Sequence, residues 1–150
     1  MAYTKINWTN TTPINTNNLN QLQTNVENAL NEIVESGNNE NGSWVKFADG
    51  TMICSGRIAY LDLKINVALK NLYCSTMQQI TYSQPFIDIP SCTLDIEQNI
   101  TANNFVWITK CAPWGSNSKT PGFYATATSE IGGTGTYGFY ISYTAVGRWK

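Results

Sequence analysis

The last 14 residues constrain this chain more than any other stretch: from 137 to 150 they read Tyr-Gly-Phe-Tyr-Ile-Ser-Tyr-Thr-Ala-Val-Gly-Arg-Trp-Lys. Alternation places Tyr137, Phe139, Ile141, Tyr143 and Ala145 on one face and Tyr140, Ser142, Thr144 and Val146 on the other. That is the period of a strand, not of a helix. An aromatic-rich core strand is therefore expected to run into the C-terminus.

A chain of 150 residues holds one domain with a real core, or a short appendage plus a domain. Hydrophobic content is 42% but charged content only 13%. Asn, Thr and Ser make up the difference, so the surface is expected to be neutral and polar. Net charge is −1 and the nine Lys and Arg are scattered, which leaves no basic patch for a phosphate backbone and argues against nucleic acid. The N-terminus lacks the apolar run of a signal peptide, and no stretch approaches the roughly 20 apolar residues of a membrane span. Synthesis in a cytosol, without membrane insertion, is the expectation. Cys54, Cys74, Cys92 and Cys111 show no Cys-x-x-Cys spacing, and the chain has no histidine to complete a zinc set. Buried free thiols are favoured over disulfides, and no metal or cofactor is expected.

Residues 14–34 contain no glycine and place Leu19, Leu22, Val26, Ala29 and Ile33 at alternating steps of three and four. That pattern predicts an amphipathic helix, capped by Thr16 or Asn17 and stopped at Ser36-Gly37. So short a helix is marginal in water and needs a partner for its stripe. Two readings stand: it folds back on its own β domain, or it forms a multi-stranded bundle with Leu19, Leu22, Val26, Ala29 and Ile33 as the oligomer interface. The Asn-rich residues 37–42 read as a flexible linker and favour the bundle. The expected organisation is a leader and helical stem over 1–36, a linker over 37–42 and a β head over 43–150.

From Ser43 onward the signals are β. Residues 43–56 predict a hairpin turning at Asp49-Gly50. Further strands are expected at 61–69, with Leu61, Leu63, Ile65, Val67 and Leu69 on one face, and at 79–82, 91–97, 105–110 and 122–128. Pro85 and Pro90 place the piece between them at an edge or corner. Seven or eight short strands imply a mainly β fold, an antiparallel sandwich preceded by the helix.

Three separated stretches carry a resemblance. The terminal Tyr143-Thr-Ala-Val-Gly-Arg-Trp149, the hairpin Asn41-Gly-Ser-Trp-Val-Lys-Phe-Ala-Asp-Gly-Thr-Met-Ile-Cys-Ser-Gly56, and the Tyr82-Ser-Gln-Pro-Phe-Ile-Asp-Ile-Pro90 segment are similar to motifs of bacteriophage and prophage tail-fibre C-terminal domains. The last is also reminiscent of H-type lectin domains. The N-terminal residues 3–20 resemble a leader of phage structural proteins. The resemblance implies a homotrimeric, receptor-binding tail-fibre or tail-tip protein of the virion, with a helical stem and a sandwich head. Its partners would be other tail or baseplate proteins and a bacterial surface glycan or other receptor. It brings no binding residues with it. Asp49, Gly50, Gly147, Trp44, Trp149 and Phe86 are explained by turn and core requirements alone.

Chemistry is sparse. Without histidine, acid–base work falls to carboxylates such as Asp95 and Glu97, which share a face of one strand and read as a solvated sheet surface. No enzyme is expected. Carbohydrate recognition asks for an exposed ring surrounded by amides, hydroxyls and a few charges. The loop of residues 112–121 supplies Trp114 with Asn117 and Lys119 nearby, and Tyr137 borders the glycine-rich loop. These four are the candidate ligand-binding residues, whereas Tyr82 and Tyr124 read as core or subunit contacts. Receptor recognition leads; a structural tail or baseplate component is the alternative, and a polysaccharide-degrading enzyme a distant third.

Overall fold

The structure, a computed structural model, describes residues 9, 14–30, 32–98, 105–132 and 138–150, with side chains for all of these but 28–30. Among the described residues one helix, α1 (Thr16–Leu30), precedes nine strands: β1 (Ile33–Asn39), β2 (Gly42–Phe47), β3 (Thr51–Tyr60), β4 (Ile65–Leu69), β5 (Leu72–Ser75), β6 (Ser91–Gln98), β7 (Val106–Cys111), β8 (Gly122–Ala127) and β9 (Phe139–Arg148). The strands form two antiparallel sheets, in the orders β1-β2-β3-β9-β6 and β4-β5-β8-β7.

β9 sits where its sequence demands. Phe139, Ile141, Tyr143 and Ala145 are buried, and the strand pairs with β3 on one side and β6 on the other. Met52 and Cys54 join it from the same sheet, and Ile65, Val106, Phe123, Ala125 and Ala127 face it from the second sheet in one continuous core. The rings of Tyr60 and Phe123 meet edge-on across the two layers, their centroids 6.0 Å apart. The two sheets therefore share a single apolar interior, and mutual burial of their inner faces is what holds them together.

The three sequence motifs converge at one corner. Trp149 donates its backbone N–H to the Gly50 carbonyl and its indole Nε1–H to the Phe47 carbonyl at 2.9 Å, which ties the C-terminus to the β2–β3 turn. The backbone N–H of Ile87 donates to the Arg148 carbonyl, and Gly147 leaves room for Phe86 and Pro90 to pack against it. Residues of the three stretches thus act on one another as parts of a folding unit.

Several expectations are corrected. The helix ends at Leu30, and Ile33, read as the last member of its stripe, opens β1 instead. Residues 37–42, read as a linker, are the end of β1 and the tight turn into β2. This turn is fixed by side chains: the Asn39 amide donates to the Ser83 carbonyl at 2.8 Å, and the Tyr143 hydroxyl donates to the Asn41 carbonyl. The strand expected from Leu61 is confined to β4. A bulge between Ile65 and Val67 puts Ile65 in the core while Val67 and Leu69 turn outward, so these residues do not share a face. Residues 79–82 form no strand; of them Thr81 makes an isolated bridge, to Lys119.

α1 carries Leu19, Leu22 and Val26, each about half exposed, and among the described residues it does not pack extensively on any strand. No described helix is long and apolar enough to cross a membrane.

Candidate functional site

Three surfaces offer chemistry. The first is the loop of residues 112–121 between β7 and β8. Ser116 organises it: its Oγ accepts the N–H groups of Ser118 at 3.2 Å and Lys119 at 3.0 Å, and its own N–H donates to the Lys119 carbonyl. Gly115 adopts φ of 100°, a left-handed turn that a side chain would strain. The loop is then laced to the 78–86 segment, with Tyr82 N–H donating to the Ser118 carbonyl, Phe86 N–H to the Asn117 carbonyl and Thr120 N–H to the Ile80 carbonyl. Thr120 is fully buried, and its hydroxyl oxygen accepts the Ile80 N–H at 3.0 Å.

On this braced frame Trp114 is 80% exposed. Its indole is not the packing anchor that a tryptophan between proline and glycine often is. Asn117 and Lys119 are exposed beside it in the same loop, and the hydrogen-bonded 86–89 segment presents Ile87 and Ile89 to solvent. Of the four candidate residues, Trp114, Asn117 and Lys119 are exposed on this loop. Tyr137 lies outside the described residues.

The second surface is the outer face of the five-stranded sheet. The Arg57 guanidinium lies 3.6 Å over the Tyr140 ring and donates to Glu97 at 2.7 Å, while Ser142 Oγ donates to the other Glu97 oxygen at 3.5 Å. The Arg57 hydrogen bond holds the Glu97 carboxyl below its usual range and raises Arg57 in turn. A shallow groove of about 500 Å³ runs beside this pair, with Asn38, Ser43, Ser55, Arg57, Ser142 and Thr144 among its lining residues. Asp95 and Glu97 both sit on this exposed face, one engaged with its own backbone neighbour Ile96 and the other with Arg57.

The third surface, which the sequence reading missed, is a groove of about 620 Å³ on the outer face of the four-stranded sheet, walled by Val67, Leu69, Leu72, Met77, Trp107 and Tyr124. Its signal was present in β7 and β8. Trp107 and Tyr124 alternate with the buried Val106, Phe123 and Ala125, so these strands are apolar on both faces. Tyr82, by contrast, is core as expected, edge-on to Phe86 at 5.3 Å.

The fold defines the class: a mainly β protein, with two antiparallel sheets over one core and one short helix among the described residues. No protein-family model and no curated protein matches the chain. Among solved structures it is similar to a C-terminal fragment of the P. aeruginosa R1 pyocin fibre, with a TM-score of 0.45 at 14% identity over 83% of this chain and 31% of that one. It is also similar to an N-truncated R1-type pyocin tail fibre, with a TM-score of 0.44 at 14% identity over 83% of this chain and 94% of that one. The chain thus spans about a third of the first fibre fragment and nearly all of the second.

Proposed function

We propose that this protein is a receptor-binding component of a phage or prophage tail fibre or tail tip, and that its β head recognises a bacterial surface glycan without catalysing a reaction. The observation that carries this reading is the exposed indole of Trp114 on a loop held rigid by Ser116 and Thr120. An exposed ring on a braced loop is suited to stack on the apolar face of a pyranose, and Asn117 and Lys119 supply polar groups from the same loop. The three sequence motifs support the tail-fibre assignment, and the virion is the corresponding location. The carboxylates Asp95 and Glu97 support a non-catalytic reading because they lie on an open sheet surface, with Glu97 committed to Arg57. Homotrimer formation through α1 belongs to the same reading.

Tagged full-length protein, applied to a glycan array and to candidate host cells, tests it. Trp114→Ala is expected to weaken cell binding at least tenfold with an unchanged melting temperature, because the side chain supports no packing. Undiminished binding by that variant would remove the loop from the site. Wild-type protein that binds no candidate cell but joins other virion proteins would favour the structural tail or baseplate role.

A further inference from the structure

Strand register sets one row of side chains straight across the outer face of the five-stranded sheet. Asn38 pairs with Ser43, Ser43 with Ser55, Ser55 with Thr144 and Thr144 with Thr93, so the row crosses β1, β2, β3, β9 and β6 in spatial order. Each of the five is an amide or a hydroxyl, and all but the half-buried Ser55 are exposed. Their chain neighbours Cys54, Tyr143 and Ala145 take the opposite face and fill the core. At a strand spacing of about 4.8 Å the row extends roughly 19 Å. Two residues along, Arg57, Ser142 and Asp95 form the next outward row. The groove of about 500 Å³ lies over both, lined by Asn38, Ser43, Ser55 and Thr144 from the first and by Arg57 and Ser142 from the second.

We propose that this face is a second carbohydrate site, holding an extended neutral polysaccharide across the strands by hydrogen bonds to the row. The chemistry selects that ligand. With no apolar member, the row offers nothing to an amphipathic helix or an acyl chain. The cation in the groove, Arg57, is neutralised by Glu97 at 2.7 Å, and Asp95 opposite Ser142 adds repulsion, so phosphates and acidic glycans are disfavoured. Hydroxyls and an amide match, donor for acceptor, the hydroxyls of uncharged sugars. These groups are also held in place. Ser43 Oγ and Ser55 Oγ lie 3.2 Å apart, Thr93 Oγ1 donates to the Thr144 carbonyl at 3.3 Å, and the Arg57 guanidinium is fixed between Glu97 and the Tyr140 ring. At the edge, the Asn39 amide anchors β1 beside Asn38 by its bond to the Ser83 carbonyl. Such short side chains lose less rotamer freedom on binding than Lys, Arg or Glu would. The proposal rests on the reading of the head as a glycan binder, and adds a site built from residues other than the 112–121 loop together with the class of glycan, neutral and several units long.

The test is an array of neutral and acidic oligosaccharides graded in length, probed with the full-length protein. Wild type should bind a neutral series, more tightly as the chain lengthens. A double variant, Ser55→Ala with Thr144→Val, should weaken that binding about tenfold, the worth of two hydrogen bonds, at an unchanged melting temperature because neither hydroxyl serves the core. Ser91→Ala, exposed on the same face but outside the row, should bind like wild type. Trp114→Ala separates the two sites. If Trp114→Ala retains length-dependent binding that the double variant loses, the row is the site and the loop is not; loss from both variants supports a site at each. Loss from Trp114→Ala alone overturns the row and leaves the loop. A double variant that binds like wild type, equal loss from Ser91→Ala, or binding confined to acidic members would likewise overturn the proposal. Wild-type protein that binds no oligosaccharide would overturn it together with the glycan reading on which it rests.

Discussion

The Tyr143 hydroxyl donates a hydrogen bond to the Asn41 carbonyl at 2.9 Å, joining residues 102 positions apart. The same oxygen accepts the Ser83 N–H at 3.1 Å, and Ser83 Oγ in turn donates to the Ser43 carbonyl. A single phenol thus ties the β1–β2 turn, the irregular 80s segment and the closing strand. Tyr143→Phe keeps the ring but strands the N–H of Ser83, itself only 4% exposed. The expected loss is about 1–3 kcal/mol, the penalty for an unsatisfied buried donor. Urea unfolding should show a lower midpoint at unchanged slope; an unchanged midpoint would mean that another group takes over the bond.

This relationship also shows what was and was not legible in the sequence. β9, the β2–β3 hairpin, β6, β7 and β8 follow from alternation and turn residues. β1 does not, because Ser36, Gly37, Asn38 and Asn39 form a polar edge strand with no buried face to leave a pattern. Gly37 looked like a helix stop, yet its role is to seat the Trp44 indole, which a Cβ would strike. The outward turn of Val67 and Leu69 was hidden for a different reason: a bulge inverts side-chain direction without changing the apolar spelling. The Trp114 loop was visible as a polar loop around one ring, but not the Thr120 bonds that brace it, since these depend on residues about 40 positions away.

Gly42 is held at φ of 131°, and a Cβ there would collide with the Ser55 carbonyl. Gly42→Ala is therefore expected to lose about 1–3 kcal/mol from backbone strain alone, with further loss from the collision. Gly132→Ala is the control, because nothing lies within 4 Å of the added carbon. It should fall within about 0.5 kcal/mol of wild type by the same denaturation measurement.

Acid should destabilise the β2–β3 hairpin and its neighbours. The Thr51 backbone N–H at 2.7 Å, then its hydroxyl, hold Asp49 below its ordinary value of 3.8. A hydrogen bond from Lys46 lowers Glu35 below 4.5, and one from Arg57 does the same for Glu97. Each carboxyl binds protons more weakly folded than unfolded, so the unfolded chain takes up more protons as pH falls. The stability these groups provide is complete above the ordinary carboxylate range and is lost as pH drops through their folded values. Melting temperature should decline below roughly pH 4.5, and Asp49→Asn should melt lower at neutral pH with a flatter acid limb. A melting curve insensitive to acid would contradict the assignment.

The four thiols are free, and Cys54 is fully buried. Burial pushes its thiol up from the ordinary range, which suppresses the reactive thiolate. Native protein treated with iodoacetamide at neutral pH should therefore label Cys54 last, while denatured protein labels all four. Peptide mass mapping over time reads the order, and early modification of Cys54 would show that β3 opens readily.

The α1 helix supplies the sharpest separation of assembly from folding. Leu19, Leu22 and Val26 stand 50%, 47% and 49% exposed in a single chain, on a 15-residue helix that is marginal without a partner. Because Val26 is not in the β core, Val26→Asp should leave the head's far-ultraviolet signal intact. If α1 helices pair around an axis, every copy then brings a carboxylate into the shared seam, where burial and mutual repulsion both oppose ionisation. The cost should reach several kcal/mol per assembly, and light scattering should report smaller species. A variant that keeps full assembly would place the subunit contacts in the β head. A variant that unfolds altogether would show that the helix packs on its own domain.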